Sequence, residues 1–577
     1  MIQLAHNAID ARLINAPRDA LVEVHRLLSY AVAGAEHMAA FQSGSWGGRS
    51  SFFSFEKAHF PAGFVDLVVR GLRAQGHEVQ ILRKERPAPL GPLRPVVSKF
   101  GYSERYDYQP ATVDKLIQFG GMIAQVATGG GKSIIARMAY KRIDRPTMFL
   151  TTRGVLMHQM RDSVISELGE EVAVLGDGEW GIPYTKADGT PGRRLSKFCV
   201  AMVQTLAQRL EVITVAGELQ ALRERRAADL GRKVQALREK LQKKGSKPHE
   251  IGPQVGRLVS EFEAKLPGDA ADRAQVEAKF VRHERLRLGT IKFLERFELV
   301  IAEEAHEISG TGFYNVMRAC KNAHYRLALT ATPFMKDDEA ANMRLLASCG
   351  PIAIKISEKT LIERGILARP YFKFIKLPES QRPKELYRST PWKKAYEVGI
   401  VKNEYRNRAL CAEIVRGHRH GLNAMVLVQY RAHGDILLDM LRAAGMRVAY
   451  IDGTSSNKER QDALNSLACS DLDALIGSTI MDVGVDVPSI GMVLLAGGFK
   501  AEVQLRQRIG RGLREKKNGG PNVAMIVDVD DDFNNHLKSH CAERQAIIRA
   551  TPGFTENIVA DFDYAALGFK RMVEKAV

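Results

Sequence analysis

Residues 122–133 read MIAQVATGGGKS. MIAQV is a short apolar run of the kind a buried strand needs, and ATGGGKS, Ala127 to Ser133, follows it directly before a helix. A glycine-rich turn lets backbone N–H groups face phosphate oxygens, and the start of the helix adds the positive end of its dipole. Thr128, Gly129, Gly130 and Gly131 form the cradle in this reading. Lys132 then reaches the β- and γ-phosphates, and Ser133 ligates Mg²⁺. The strict GxxxxGK[ST] pattern has glycine where this chain has Val126, and the strand–loop–helix setting compensates. A chance match in a packing loop is the competing reading.

A phosphate loop of this kind needs a carboxylate at the end of another strand. FELVIAEEAH, 297–306, supplies two, Glu303 and Glu304. One acid holds Mg²⁺ and the next orients and deprotonates the attacking water. Two adjacent acids could also arise by chance at a helix start.

Around these motifs, residues 100 to about 370 alternate apolar strands with helices. MIAQVA, PTMFLTT, KFCVAMV, FELVIAEE and YRLALTAT are the expected strands. Residues 395 to about 550 repeat the style with NAMVLVQY, RVAYIDG, DALIGST, MVLLAGG and VAMIVDV. Continuous apolar strands separated by helices imply parallel sheets covered on both faces. The fold class is therefore α/β, with two successive cores.

The first core is interrupted at about 212–288. Leu219, Leu222, Leu230, Val234, Leu237 and Leu241 space like a coiled-coil seam, and GSKPHEIGP reads as a turn. The interruption reads as an inserted helical hairpin with a strongly basic first arm. A solvated structural arm, a nucleic-acid contact and a protein partner are all open.

Residues 1 to about 90 read as a small α/β unit. Leu21 to Val32 has helical period, SFFSF alternates like a strand, PAGFVDLVVRGLRAQGH reads as a helix and EVQILRKE as a closing strand. Prolines at 87, 89, 92 and 95 mark a linker, and the tail from about 551 carries no signal. The expected boundaries are 1–95, 96–370, 371–550 and 551–577.

The chain has 577 residues, 45% of them hydrophobic and 26% charged, which excludes a wholly disordered protein. Lys plus Arg total 84 against 66 Asp plus Glu, a formal charge of +18. That balance favours a polyanionic partner, nucleic acid or an acidic membrane surface. The six cysteines include no CxxC pair, so a zinc knuckle is not expected, and their scatter fits a reducing cytosol. Neither a signal peptide nor a membrane span is expected.

The motif series, taken in order, resembles the superfamily 2 helicases and translocases. YDYQP carries Gln109, which matches the family's adenine-reading glutamine. FLTTRGVLMHQ, MVQTL, Glu303 to His306, Thr330-Ala331-Thr332, VLVQYR, STIMDVGVDVP (478–488) and Gln507 to Arg514 follow in family order. The resemblance implies two tandem RecA-like domains with ATP between them. It implies Lys132, Ser133, Glu303 and Glu304 from the first, and Gln507, Arg508 and the arginine fingers Arg511 and Arg514 from the second. Gly484 and Asp486 would sit near the nucleotide, and Thr152, Arg153, Gln204, Thr205 and Thr479 would touch the nucleic-acid backbone without reading sequence. The family usually has Asp where this chain has Glu303; the extra methylene shifts the carboxylate outward, and either a water takes up the difference or Mg²⁺ binds more weakly.

TTRGVL, DVGVDVP and QRIGRGLR look more like DNA translocases of the RecG, XPB and UvsW kinds than like RNA-directed DEAD-box enzymes. AFQSGSWGGRSSFF with FPAGFVDLVVRGL is similar to the small domain of UvsW-type phage recombination helicases. There Trp46, Arg49, Phe52 and Phe53 offer stacking and phosphate contact, or else core packing. The expectation is an ATP-dependent DNA helicase or translocase acting on duplex, branched or single-stranded DNA, in a prokaryotic or phage-infected cytoplasm, with no membrane partner. An RNA helicase, and an ATP-gated DNA-binding clamp with weak hydrolysis, are the alternatives.

Overall fold

The computed structural model describes residues 1–571 except 84, 98–102, 246, 267, 307–309, 335–337, 478–489, 499–508, 511–512, 514 and 517–519. Eight strands form the first large sheet. Their order is Glu179–Trp180, Val172–Gly176, Phe198–Met202, Thr147–Thr151, Leu299–Glu303, Tyr325–Thr330, Gly121–Val126 and Ile352–Ile356. All pairings are parallel except that of the edge strand Glu179–Trp180. Leu299–Glu303 and Tyr325–Thr330 are buried at every residue, because helices cover both faces.

The second large sheet has seven strands, all parallel. Their order is Val448–Ile451, Ala474–Gly477, Ala424–Leu427, Met492–Leu494, Val523–Val529, Arg369–Ile375 and Ile558–Val559. The two sheets make the tandem RecA-like architecture. A buried apolar cluster runs through both by way of Leu361, Ile366 and Leu367. The tail from 551 is not featureless: Ile558–Val559 closes the sheet edge, and Phe562 and Tyr564 are buried in the second core.

The second core also buries charge. Arg544 pairs with Asp528 at 2.7 Å and Arg406 with Asp531 at 2.8 Å, all four side chains being almost fully enclosed. Removing one partner strands the other's charge in a low-dielectric interior. Arg544→Ala is expected to destabilise by roughly 3–5 kcal/mol. Scanning calorimetry should then show the melting of this half lowered by roughly 10 °C, and an unchanged transition would refute the assignment.

The N-terminal sheet has the order His59–Pro61, Asp10–Ile14, Ile2–His6, Val79–Arg83. Three local expectations change here. The first helix is Arg18–Leu27 and stops short of Val32, where Ser29–Ala31 pairs with Arg49–Ser51 as a small hairpin. SFFSF is not a regular strand: only its first residue, Ser51, lies in the Arg49–Ser51 strand. Phe53 is buried, and Phe52 packs at tilted and edge-on angles against Tyr30, Phe64 and Tyr314, so these rings are packing residues. The proline-rich 87–95 segment is strapped to the first core: Leu90 N–H donates to the Ile143 carbonyl, and Tyr325 Oη donates to that of Pro87.

The insertion is three helices, Val215–Lys243, Pro248–Ala264 and Asp269–Leu294, rather than a two-helix hairpin ending at 288. Pro248–Ala264 packs along the distal half of the first helix, where Lys233 Nζ lies 4.8 Å above the Phe262 ring. Asp269–Leu294 returns along the proximal half. Its Asp272 takes a bidentate hydrogen bond from Arg226, its Asp269 lies 3.8 Å from Arg223, and its Lys279 pairs with Glu218. The proximal cations therefore have partners within the arm. Beyond Arg226 the first helix continues for roughly 25 Å at the α-helical rise. On its last turns and in the turn that follows, the exposed Arg238, Lys240, Lys243, Lys244 and Lys247 make no ion pair among the described residues.

Candidate nucleotide site and nucleic-acid face

The glycine loop lies at the C-terminal end of Gly121–Val126 and opens into the helix Lys132–Ile143. Gly129 and Gly131 both have positive φ, +86° and +77°, a backbone that L residues adopt only with strain. Gly131 is also closely approached, since a Cβ there would stand 2.5 Å from Gln109 Nε2. Gln109 is buried on the helix Tyr108–Phe119, so the structure brings it against the loop. The neighbouring Tyr108 donates its hydroxyl to the Gly130 carbonyl at 2.8 Å and pins the loop from behind.

Leu299–Glu303 ends beside the loop, with Tyr325–Thr330 between it and the glycine-loop strand. Ser133 Oγ donates to Glu303 Oε1 at 3.5 Å. Lys132 Nζ lies 3.3 Å from Glu304 Oε1. Glu304 has φ +49°, so the chain turns sharply and aims two successive carboxylates at one place. His306 Nδ1 is 3.4 Å from Glu304 Oε2 and 2.9 Å from Thr330 Oγ1, which links this turn to Thr330-Ala331-Thr332. Lys132, Ser133, Glu303 and Glu304 thus converge from two strand ends.

Burial, and next the charge of Glu304, push the Glu303 carboxyl up to about 7. Ser133 and Glu303 offer hard oxygen donors, the set that Mg²⁺ takes, and a divalent cation beside Glu303 would restore its ionised form. These residues fit a magnesium–triphosphate. Arg137 escaped notice in the sequence. It is buried on the glycine-loop helix, pairs with Glu167 at 3.0 Å and acts on Glu303 through its charge.

The second core reaches this place. A Cβ on Gly510 would stand 2.9 Å from Thr128 Cγ2, so the backbone at Gly510 abuts the glycine loop. Ala368 N–H donates to the Leu513 carbonyl at 2.7 Å, and Arg105 pairs with Glu515 at 2.9 Å. Thr479, Gly484, Asp486, Gln507, Arg508, Arg511 and Arg514 lie outside the described residues.

Thr152 and Arg153 follow the strand Thr147–Thr151, and Gln204 and Thr205 follow its neighbour Phe198–Met202. Gln204 Nε2 donates to the Thr152 carbonyl at 3.2 Å. The four sit together at the same edge of the sheet as the glycine loop, where open α/β sheets bind their ligands. Among the described residues no helix is long and apolar enough to cross a membrane.

A helicase conserved C-terminal domain matches residues 405–516. The ATP-dependent DNA helicase uvsW of Enterobacteria phage T4 is 21% identical over 252 residues, 43% of this chain and 49% of that protein. The DNA 3'-5' translocase XPB2 of Sulfurisphaera tokodaii is 24% identical over 269 residues, 41% of this chain and 60% of that protein. The chain spans about half the length of the curated relatives it matches. The crystal structure of T4 UvsW covers 98% of both chains at 16% identity, with a TM-score of 0.41.

Proposed function

Because this chain belongs to helicase superfamily 2, we propose that it is an ATP-dependent DNA helicase or translocase that moves on, or remodels, duplex or branched DNA. One observation carries the ATPase half of the reading. Lys132, Ser133, Glu303 and Glu304 converge at the sheet edge while Gly510 of the second core abuts Thr128. A site assembled from two cores hydrolyses only when they dock, which couples turnover to their movement.

Bound magnesium would neutralise phosphate charge between Ser133 and Glu303. Lys132 would hold the phosphates and Glu304 would take the proton of the attacking water. Thr152, Arg153, Gln204 and Thr205 would grip backbone phosphates, as a motor that steps along any sequence requires. The DNA assignment draws on the DNA helicase and DNA translocase named among the relatives and on the formal charge of +18. Turnover measured with DNA and with RNA tests it. Stronger stimulation by DNA is expected; stimulation by RNA alone makes the chain an RNA helicase, and DNA binding with negligible turnover makes it a clamp.

The five tip cations of the insertion extend this reading. They form a positive end held away from the motor, suited to the phosphates of a duplex or junction arm. Each phosphate neutralised contributes about −0.9 to the slope of log K against log salt on duplex DNA. Changing Arg238, Lys240, Lys243, Lys244 and Lys247 to Gln should flatten that slope by several units and leave basal ATPase intact. An unchanged slope would instead make the tip a protein-docking element or a solvated spacer.

A further inference from the structure

Between the N-terminal sheet and the amino-terminal edge of the first large sheet lies a cavity of about 350 Å³. Small-molecule sites occupy roughly 300–1,000 Å³. Its described lining residues include five arginines, Arg70, Arg73, Arg83, Arg86 and Arg326, and one carboxylate, Asp66. Arg70 already pairs with Asp66 at 2.8 Å. The other four arginines make no ion pair among the described residues.

The like charges are pressed together. Gly120, with φ +79°, leaves room for them: a Cβ there would collide with Arg86 Nη1 and stand 3.0 Å from Arg83 Nη2. Arg86 Nη2 donates to the Gln118 carbonyl at 2.6 Å, but its buried Nη1 has no hydrogen-bond partner. Ser348 is only 3% exposed, lines the same cavity and also has an unpartnered hydroxyl. Arg326 is enclosed and spends its donors on the carbonyls of Cys320, Ala323 and Ser348. Burial and the neighbouring Arg83 charge hold the Arg86 guanidinium down to about 10. The unpartnered Arg86 Nη1, the unpartnered Ser348 hydroxyl and the crowding of Arg83 on Arg86 are costs that an anion would remove.

The walls are fixed. Met343 and Ala347 of the first core share the apolar cluster of the N-terminal sheet, and Arg318 pairs with Asp10 across the junction. The cavity touches Gly121, the first residue of the six-residue strand whose far end carries the glycine loop. It therefore stands about 20 Å from the nucleotide site, at the opposite edge of the sheet.

We propose that this cavity is a second phosphate site, which takes a phosphoryl group borne by a small polyphosphate or by a nucleic-acid backbone. Guanidinium forks match phosphate oxygens two at a time, and a doubly charged group balances clustered arginines better than one carboxylate does. The inference stands apart from the motor reading, since it uses none of the motor residues.

The test is calorimetric titration of inorganic pyrophosphate into the full chain, saturated beforehand with ADP and magnesium to fill the glycine loop. One further site is expected. R83Q/R86Q should weaken it at least about tenfold, the effect of losing a charge-assisted hydrogen bond. Asp66→Asn should strengthen it several-fold, because it removes the one opposing charge and frees Arg70. That gain decides the matter even if the double variant does not fold. Competition by a short duplex oligonucleotide would identify backbone phosphate as the source, and its absence a small polyphosphate. The proposal is overturned if the wild type takes up no additional pyrophosphate, or if R83Q/R86Q and D66N both titrate like wild type.

Discussion

Glu304→Gln is expected to abolish ATP turnover while leaving nucleotide and DNA bound. Glu304 stands at the end of a fully buried strand, turned by a positive φ toward Lys132, whose Nζ is 3.3 Å from its carboxylate. His306 Nδ1, hydrogen-bonded to Thr330 Oγ1, lies 3.4 Å from the other carboxylate oxygen. Gln has the same size but cannot accept a proton. General-base catalysis contributes typically about 10²–10⁴-fold, and turnover should fall across that range. Because Lys132, Ser133 and Glu303 stay in place, binding of a fluorescent ATP analogue should change little. Near-normal phosphate release by the purified variant would remove Glu304 from the proposed mechanism.

Changing Arg511 and Arg514 together to Ala should have an effect of similar size and leave stability almost untouched. The flanking Gly510 backbone abuts Thr128 of the glycine loop, and Leu513 is tied to Ala368. Arginines on this segment would be carried to the transferring phosphoryl group by the second core. Such fingers are worth about 10³–10⁵ in rate where best measured; at least about 10² of DNA-stimulated turnover should be lost here. The melting temperature should stay within a few degrees. A double variant that hydrolyses ATP at the wild-type rate would show that the site is complete within the first core.

Glu303 in place of the family's usual Asp can be weighed against its surroundings. The longer side chain still places Oε1 within 3.5 Å of Ser133 Oγ, so the outward shift has not parted the two expected magnesium ligands. What the surroundings add is burial, which raises the carboxyl to about 7.

The sequence by itself determined the strands that carry the chemistry. Gly121–Val126, Leu299–Glu303 and Tyr325–Thr330 are each a short apolar run ending in glycines, acids or threonines, and a run buried on both faces needs nothing more to be legible. The same holds for the seam of the insertion, because helical spacing is local. Tertiary structure decided what local pattern cannot express. The strand Tyr325–Thr330 lies between the two that carry Lys132 and Glu303, an order set by crossovers rather than by neighbouring residues. A third helix, Asp269–Leu294, holds the basic arm through Asp272, an acid far along the chain from Arg226. Ile558–Val559 became a strand only because the edge of Arg369–Ile375 offered it partners. The arginine cavity joins residues 70–86 to residues 326–350, segments whose separate patterns read as a helix, a strand and a core edge. Burial of an element follows from its own side chains; the charge field at a junction follows from every chain segment that meets there.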